Sequence, residues 1–199
     1  MARVLAEQPN PETSRQFFIL GCVVEGGLFL LGAGLSWLFG QGLLSNMHWA
    51  WRDSLVGLAA AVPPLSVFWW TLRSKWRFCR DIRHFLDDSI LPIIRPWQVS
   101  QFFLICALAG LGEEFFFRAA VQGGLTQLVG PTAALILAGL IFGACHSMTW
   151  GYIALTSLMG VYLGALWSWT GNLLGPVITH AVYDFAAMLY LLRLRKKPD

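Results

Sequence analysis

Apolar stretches, most of them about as long as a bilayer is thick, fill most of this 199-residue sequence. A helix needs about 20 mostly apolar residues to cross the hydrocarbon core. Only 13% of the residues are charged, against roughly 25% in a soluble domain. The pattern predicts one all-α, membrane-embedded domain over residues 1–199, a polytopic helix bundle. About six transmembrane helices are expected, at residues 17–39, 54–72, 98–122, 132–148, 152–169 and 173–192.

The longest interruption, residues 73–97, is basic and aromatic, which predicts a loop or helix at the membrane surface. An even number of helices puts both termini on the same side as this loop, and the positive-inside rule makes that side cytoplasmic. We therefore expect an integral, multi-pass protein with cytoplasmic termini. Twelve of the 14 lysines and arginines would then be cytoplasmic: Arg3, Arg15, Arg73, Lys75, Arg77, Arg80, Arg83, Arg95, Arg193, Arg195, Lys196 and Lys197.

Several ionisable residues remain within the predicted membrane segments. A charged group near the bilayer centre costs at least about 2.5 kcal/mol, so such residues usually face a protein interior or a wet cavity and mark function. The structural alternative is a buried ion pair that only fixes helix packing. The residues are Glu25, Glu113, Glu114, Arg118, His146, His180 and Asp184.

Three of these groups fall in the stretch GLGEEFFFRAAVQ, residues 110–122. Glu114 and Arg118 are four residues apart with the acid first, which is the favoured orientation for an ion pair on one helical face. Glu113 points about 100° away from Glu114 and has no cation in its own helix. The spacing predicts a structural pair, Glu114 with Arg118, and a reactive carboxylate at Glu113.

The histidines occur in IFGACHSMTW and GPVITHAVYDFAA. Phe142 precedes His146 by four residues, and His180 precedes Asp184 by four, so each pair shares a helical face. A single transmembrane histidine is more often a packing residue than a catalyst. Two histidines on different helices, together with an acid and a buried ion pair, favour a functional site.

At these residues the sequence resembles the CPBP family, which comprises CAAX proteases and bacteriocin-processing enzymes and is also called Abi. The resemblance covers residues 97–192, a catalytic core, and it rests on three ordered motifs. They are EExxxR, FxxxH and HxxxN/D, here Glu113, Glu114 and Arg118; Phe142 and His146; His180 and Asp184.

The resemblance implies an intramembrane glutamic endopeptidase that needs no metal and no other cofactor. It implies that Glu113 and His146 activate a water, that His180 and Asp184 form the oxyanion side, and that the Glu114 pair holds the helix. An ionised Asp184 cannot donate a hydrogen bond, so it is either protonated or only orients His180. Expected partners are membrane lipids and a peptide or protein substrate, either prenylated or a bacteriocin-like precursor. No nucleic acid is expected.

Two other interpretations stay open. Glu113, Glu114, His146 and His180 could supply the ligands of a zinc protease, although the sequence has no HExxH motif. The same polar groups could also serve a non-catalytic scaffold, immunity factor or proton-coupled carrier as a packing core or proton relay. Glu25, outside the matched region, is expected to have a packing or gating role.

The predicted helix bounds create a conflict of depth. Glu113 lies about 15 residues after Gln98, at ~1.5 Å per residue, and so toward the outer side of the membrane. His146 lies near the cytoplasmic end of its own predicted helix. Straight helices with these bounds would keep the two side chains apart.

Overall fold

A computed structural model describes residues 10–40, 42 and 46–194, without the side chains of 193 and 194, and within these ranges all regular structure is helical. The predicted all-α membrane bundle is confirmed. Four described stretches are long and apolar enough to cross a membrane: Pro11–Leu38, Trp51–Arg73, Trp150–Thr170 and Leu174–Leu192.

The elements follow in chain order. They are α1 (Pro11–Leu38), α2 (Trp51–Ala60), α3 (Val62–Arg73), α4 (Arg77–Phe85), α5 (Leu91–Ile94), α6 (Val99–Glu113), α7 (Gly123–Val129), α8 (Pro131–Cys145), α9 (Trp150–Thr170) and α10 (Leu174–Leu189). Three π-helical segments continue these helices, at Leu86–Ile90, Glu114–Gln122 and Tyr190–Leu194.

The helix predicted to end at residue 122 is longer than expected. From α6 the chain continues through the π-helical segment Glu114–Gln122 into α7, which ends at Val129. Gly130 then takes a φ of 81°, in the left-handed region that favours glycine. Pro131 begins α8 directly afterwards, at a first-turn position that needs no amide hydrogen. The Gly130-Pro131 turn therefore joins two antiparallel helices.

The first helix begins six residues earlier than predicted, at Pro11 rather than residue 17. The Asn10 side-chain oxygen accepts a hydrogen bond from the Glu12 amide at 3.0 Å, which caps the helix. A polar N-terminal turn followed by apolar turns explains why hydropathy alone missed this beginning. Arg3, Arg195, Lys196 and Lys197, which support the predicted orientation, lie outside the described residues, as does the Arg193 side chain.

The basic segment between the second and third predicted spans is largely helical. On α4, Cys79 and Ile82 are buried while Arg77 and Arg80 are exposed, as expected for a helix at a surface. Arg83 donates from Nη1 to the carbonyls of Thr71 at 2.6 Å and Ser74 at 2.8 Å. These bonds satisfy carbonyls at the end of α3, which fixes the basic segment against the bundle.

The centre of the bundle is α6, which packs between α1 and α10. A Cβ at Gly110 would lie 2.8 Å from the Val177 carbonyl of α10. At Gly112 a Cβ would collide with the backbone of Glu25 in α1. Small residues allow this close approach of helices, and they bring α1 and α10 to the helical turn that ends at Glu113.

Candidate active site

Polar side chains from four elements converge beside the carboxyl end of α6. We use "the buried cluster" for Glu113, Glu114, Arg118, His146, His180 and Asp184. Glu113 ends α6, and Glu114 and Arg118 belong to the π-helical segment that follows. His146 follows α8, and His180 and Asp184 lie on α10. Wide π turns inside helices are frequent at functional sites.

The inner part of the buried cluster is a chain of charge-assisted contacts. Arg118 donates from Nε to Glu114 Oε2 at 2.8 Å, and both side chains are fully buried. Glu114 Oε1 lies 2.8 Å from His180 Nδ1. Because Glu114 accepts from Arg118 at its other oxygen, we assign His180 Nδ1 as the donor. Arg118, Glu114 and His180 thus form one connected unit linking the π-helical segment to α10.

Glu113 faces away from this unit and toward the histidine rings. Its Oε1 lies 3.7 Å from His146 Nε2, and its Oε2 lies 4.0 Å from His180 Nε2. These separations exceed direct hydrogen-bond lengths, and a water lying to one side of two such groups can bridge them. The side chain of Glu113 is 10% exposed, compared with 25% for His146.

Phe142 sets the orientation of the His146 ring. His146 Nδ1 lies 2.8 Å from the Phe142 carbonyl, which can only accept, so Nδ1 carries the hydrogen. The two rings stack with centroids 4.6 Å apart. On its other side Phe142 contacts Arg118, whose Cζ lies 5.0 Å from the ring centroid. The tautomer and the stacking leave the lone pair of His146 Nε2 directed at Glu113.

Asp184 contacts the same ring nitrogen of His180 that faces Glu113. Its Oδ2 lies 3.4 Å from His180 Nε2, and its side chain is 26% exposed. His180 therefore has one carboxylate at Nδ1, Glu114, and two near Nε2, Glu113 and Asp184. This arrangement holds the ring firmly and presents Nε2 to the more accessible side of the cluster.

The conflict of depth between Glu113 and His146 disappears because the helix that begins with α6 continues to the end of α7. Glu113 lies 17 residues before Gly130, and His146 lies 16 residues after it. The two arms of this antiparallel hairpin have nearly equal lengths of about 25 Å at 1.5 Å per residue. The conflict arose from the predicted bounds, because residues 123–129 were left out of the helix and α8 ends at Cys145 rather than at residue 148.

Two groups beside the cluster had no catalytic role in the sequence interpretation. The carboxyl of Glu25, on α1, interacts electrostatically with Glu113, His180, Asp184 and His146. The phenol of Tyr152, on α9, interacts with Asp184 and Glu113. The sequence contained a sign that Glu25 could belong to the site, because it is the only acid in the first apolar segment. No such sign marked Tyr152, because tyrosines near helix ends are common at membrane interfaces.

Among the described residues, no group of three or more His, Cys, Asp or Glu side chains is arranged to hold a metal ion. Glu114, one of the residues considered for a zinc site, has both oxygens engaged, with Arg118 and His180.

The fold and the buried cluster define a polytopic helical membrane protein with an acid and histidine site inside the bundle. Residues 95–186 match the family model described as type II CAAX prenyl endopeptidase Rce1-like. The matched residues include the whole buried cluster, and the predicted family resemblance is confirmed.

The chain is also similar to a curated bacterial protein. The chain is 27% identical over 117 residues to a protein of Bacillus subtilis (strain 168) described as uncharacterized protein YpbD. The matched region covers 57% of this chain and 59% of that protein. No solved structure matches the chain significantly.

Proposed function

We propose that this protein is an intramembrane glutamic endopeptidase that cleaves a peptide or protein substrate without a metal ion. The observation that carries the proposal is the position of Glu113 between two imidazole rings, 3.7 Å from His146 Nε2 and 4.0 Å from His180 Nε2. The match of residues 95–186 to a family model described as type II CAAX prenyl endopeptidase supports hydrolysis of a peptide bond.

The nucleophile is a water held between Glu113 Oε1 and His146 Nε2. Both atoms accept hydrogen bonds, and one water can donate to both across a 3.7 Å gap. As the water oxygen attacks the carbonyl carbon, Glu113 takes one of its protons. General base catalysis of this kind contributes about 10²–10⁴-fold to the rate.

His180 faces the opposite side of the reacting carbonyl. With its Nδ1 donating to Glu114, a hydrogen on Nε2 makes the ring an imidazolium that can donate to the oxyanion. Asp184 orients this nitrogen from 3.4 Å. The buried Glu114 and Arg118 pair contacts no substrate in this scheme and keeps His180 and Phe142 in place.

The substrate carries an apolar anchor in the same proposal. A groove of about 590 Å³ lies between α3 and α10, within the usual size range of ligand pockets. Its wall on α10 includes Ala186, two residues after Asp184 of the buried cluster. A lipid chain attached to a peptide could lie here with the peptide directed at Glu113. Its lining residues are Val62, Leu65, Ser66, Phe68, Trp69, Ala186, Leu189 and Tyr190.

We also propose that the basic segment, and with it both termini, lies on the cytoplasmic side, and the exposed arginines of α4 support this through the positive-inside rule. Cysteines introduced at Arg77 or Arg80 should react with a membrane-impermeant maleimide only in inverted vesicles. Reaction in intact cells would contradict the proposed orientation.

The proposal is tested by a cleavage assay on purified protein in lipid nanodiscs. The probe is a quenched fluorescent peptide ending in a farnesylated cysteine and three further residues. Glu113→Gln should lower kcat by at least about 10²-fold because it removes the general base. Its matched control is Glu12→Gln, at an exposed glutamate of α1, which should cleave at the wild-type rate. Full activity of Glu113→Gln would refute the proposal.

Two further measurements separate the other interpretations. Activity should survive extensive treatment with a chelator, whereas loss followed by recovery with zinc would favour a zinc protease. If Glu113→Ala and His146→Ala support the cellular function as well as wild type, the role is not proteolytic.

If the farnesylated probe is not cut, peptides that accumulate uncut in cells carrying Glu113→Gln identify another substrate.

A further inference from the structure

Glu25 lies on α1, 88 residues before Glu113, yet its backbone contacts the residue next to it. Gly112 has no room for a Cβ because Glu25 occupies that space. The contact fixes the height of Glu25 on α1 relative to the last turn of α6. Helix α1 thereby places one carboxyl group beside the buried cluster.

In the part of the chain that the structure describes, the Glu25 carboxyl keeps one oxygen buried without a hydrogen bond. Its Oε2 is buried and unpaired among the described residues, as is Oε2 of Glu113. Its charge interactions are with Glu113, His180, Asp184 and His146. A buried unpaired carboxylate oxygen is costly, and the charged groups that act on Glu25 are those of the proposed active site.

The charges around Glu25 are unbalanced. Arg118, the guanidinium of the cluster, is matched by Glu114. The remaining carboxyls are those of Glu25, Glu113 and Asp184, and they face the imidazoles of His146 and His180. With both imidazoles protonated and all three carboxyls ionised, one negative charge remains unbalanced. The site is therefore complementary to a ligand that brings a hydrogen-bond donor or a positive charge.

We propose that Glu25 binds the nitrogen of the leaving fragment. The inference rests on the proposed peptide hydrolysis, in which the water oxygen bonds to the carbonyl carbon and one water proton passes to Glu113. The C–N bond then breaks with its electron pair on nitrogen, which takes the proton from Glu113. The carboxylic acid formed gives its own proton to the amine, so the products are a carboxylate and an ammonium. Glu25 accepts from the N–H during cleavage and pairs with this ammonium afterwards.

The test compares two substrates that differ only at the bond cleaved. One is the farnesylated peptide with its scissile amide, and the other has an ester oxygen in place of the amide nitrogen. An ester releases a neutral alcohol with no N–H for Glu25 to bind. Glu25→Gln should therefore lower kcat/KM for the amide by about ten- to a hundredfold, the range for one charge-assisted hydrogen bond. It should leave ester hydrolysis nearly unchanged.

Ester hydrolysis by Glu25→Gln also shows that the variant is folded. Glu12→Gln, at the exposed glutamate of the same helix, should change neither rate, and Glu25→Asp should recover part of the amide rate. An equal loss on amide and ester, or no loss on either, would overturn the inference and leave the proposed function intact. Full amide cleavage by Glu113→Gln would instead overturn the proposed function itself.

Discussion

Two buried polar networks of the bundle differ in how fully their hydrogen bonds are satisfied. The first surrounds Asn172, just before α10, and is complete on both sides of the side-chain amide. Its Nδ2 donates to the His48 carbonyl at 2.9 Å and to Asp53 Oδ2 at 2.8 Å. Its Oδ1 accepts from the His48 amide at 3.2 Å and the Leu174 amide at 3.1 Å.

The buried cluster around Glu113 is incomplete by comparison. Among the described residues, Oε2 of Glu113 and both terminal nitrogens of Arg118 are buried without a hydrogen-bond partner. Most buried polar groups in folded proteins are satisfied, so each exception requires a reason. The Asn172 network joins a loop to two helices and needs no ligand, whereas Glu113 keeps an unpaired oxygen beside the two imidazole rings of the proposed active site.

The largest expected effect is a loss of stability when the buried pair of Glu114 and Arg118 is broken. Arg118→Met removes the cation beside Glu114 and leaves a fully buried carboxylate without it. Losing one partner of a buried pair costs about 3–5 kcal/mol. Unfolding in detergent with increasing denaturant should show this loss in the free energy of unfolding.

The matched control is Arg15→Met, because Arg15 makes the exposed counterpart of that pair. Arg15 Nε lies 3.4 Å from Glu12 Oε2, with side chains 67% and 53% exposed. Pairs of this kind contribute about 0–1 kcal/mol. Similar unfolding free energies for the two variants would mean that Glu114 and Arg118 do not form the supporting pair of the cluster.

A smaller effect is expected in the satisfied network. Asn172→Ala removes four hydrogen bonds and leaves groups of His48, Asp53 and Leu174 to find new partners. We expect a loss of about 1–3 kcal/mol in the free energy of unfolding, the cost of unsatisfied buried groups. The kcat of the folded fraction should stay at the wild-type value. A fall in kcat as large as that of Glu113→Gln would erase the distinction between the networks.

The sequence was sufficient to predict the helical membrane bundle and the family. Long apolar segments leave few alternatives to helices in a bilayer, and the fold and the family resemblance were confirmed. The spacing of Glu114, Arg118, His180 and Asp184 places each pair on one helical face by geometry alone. The catalytic roles of these residues remain predictions.

The depth of His146 and the place of Glu25 could not be predicted from local patterns. Hydropathy does not show that a helix continues past Gly123 and Gly124, although the extra turns set the level at which Glu113 meets His146. The proximity of Glu25 to Glu113 depends on α1 packing closely at Gly112. Such contacts between distant segments arise from tertiary packing, which a single sequence does not encode in its periodicity.

The smallest expected effects concern Asp184, at the accessible edge of the unsatisfied cluster. In Asp184→Asn the amide oxygen can still accept from His180 Nε2, which lies 3.4 Å from Asp184 Oδ2, and its nitrogen adds a donor for the oxyanion. We expect kcat to be nearly that of wild type. Asp184→Ala removes the contact and should lower kcat by about tenfold, or ~1.4 kcal/mol. Equal loss in both variants would show that the negative charge of Asp184, rather than its polar contact with His180, is what the reaction requires.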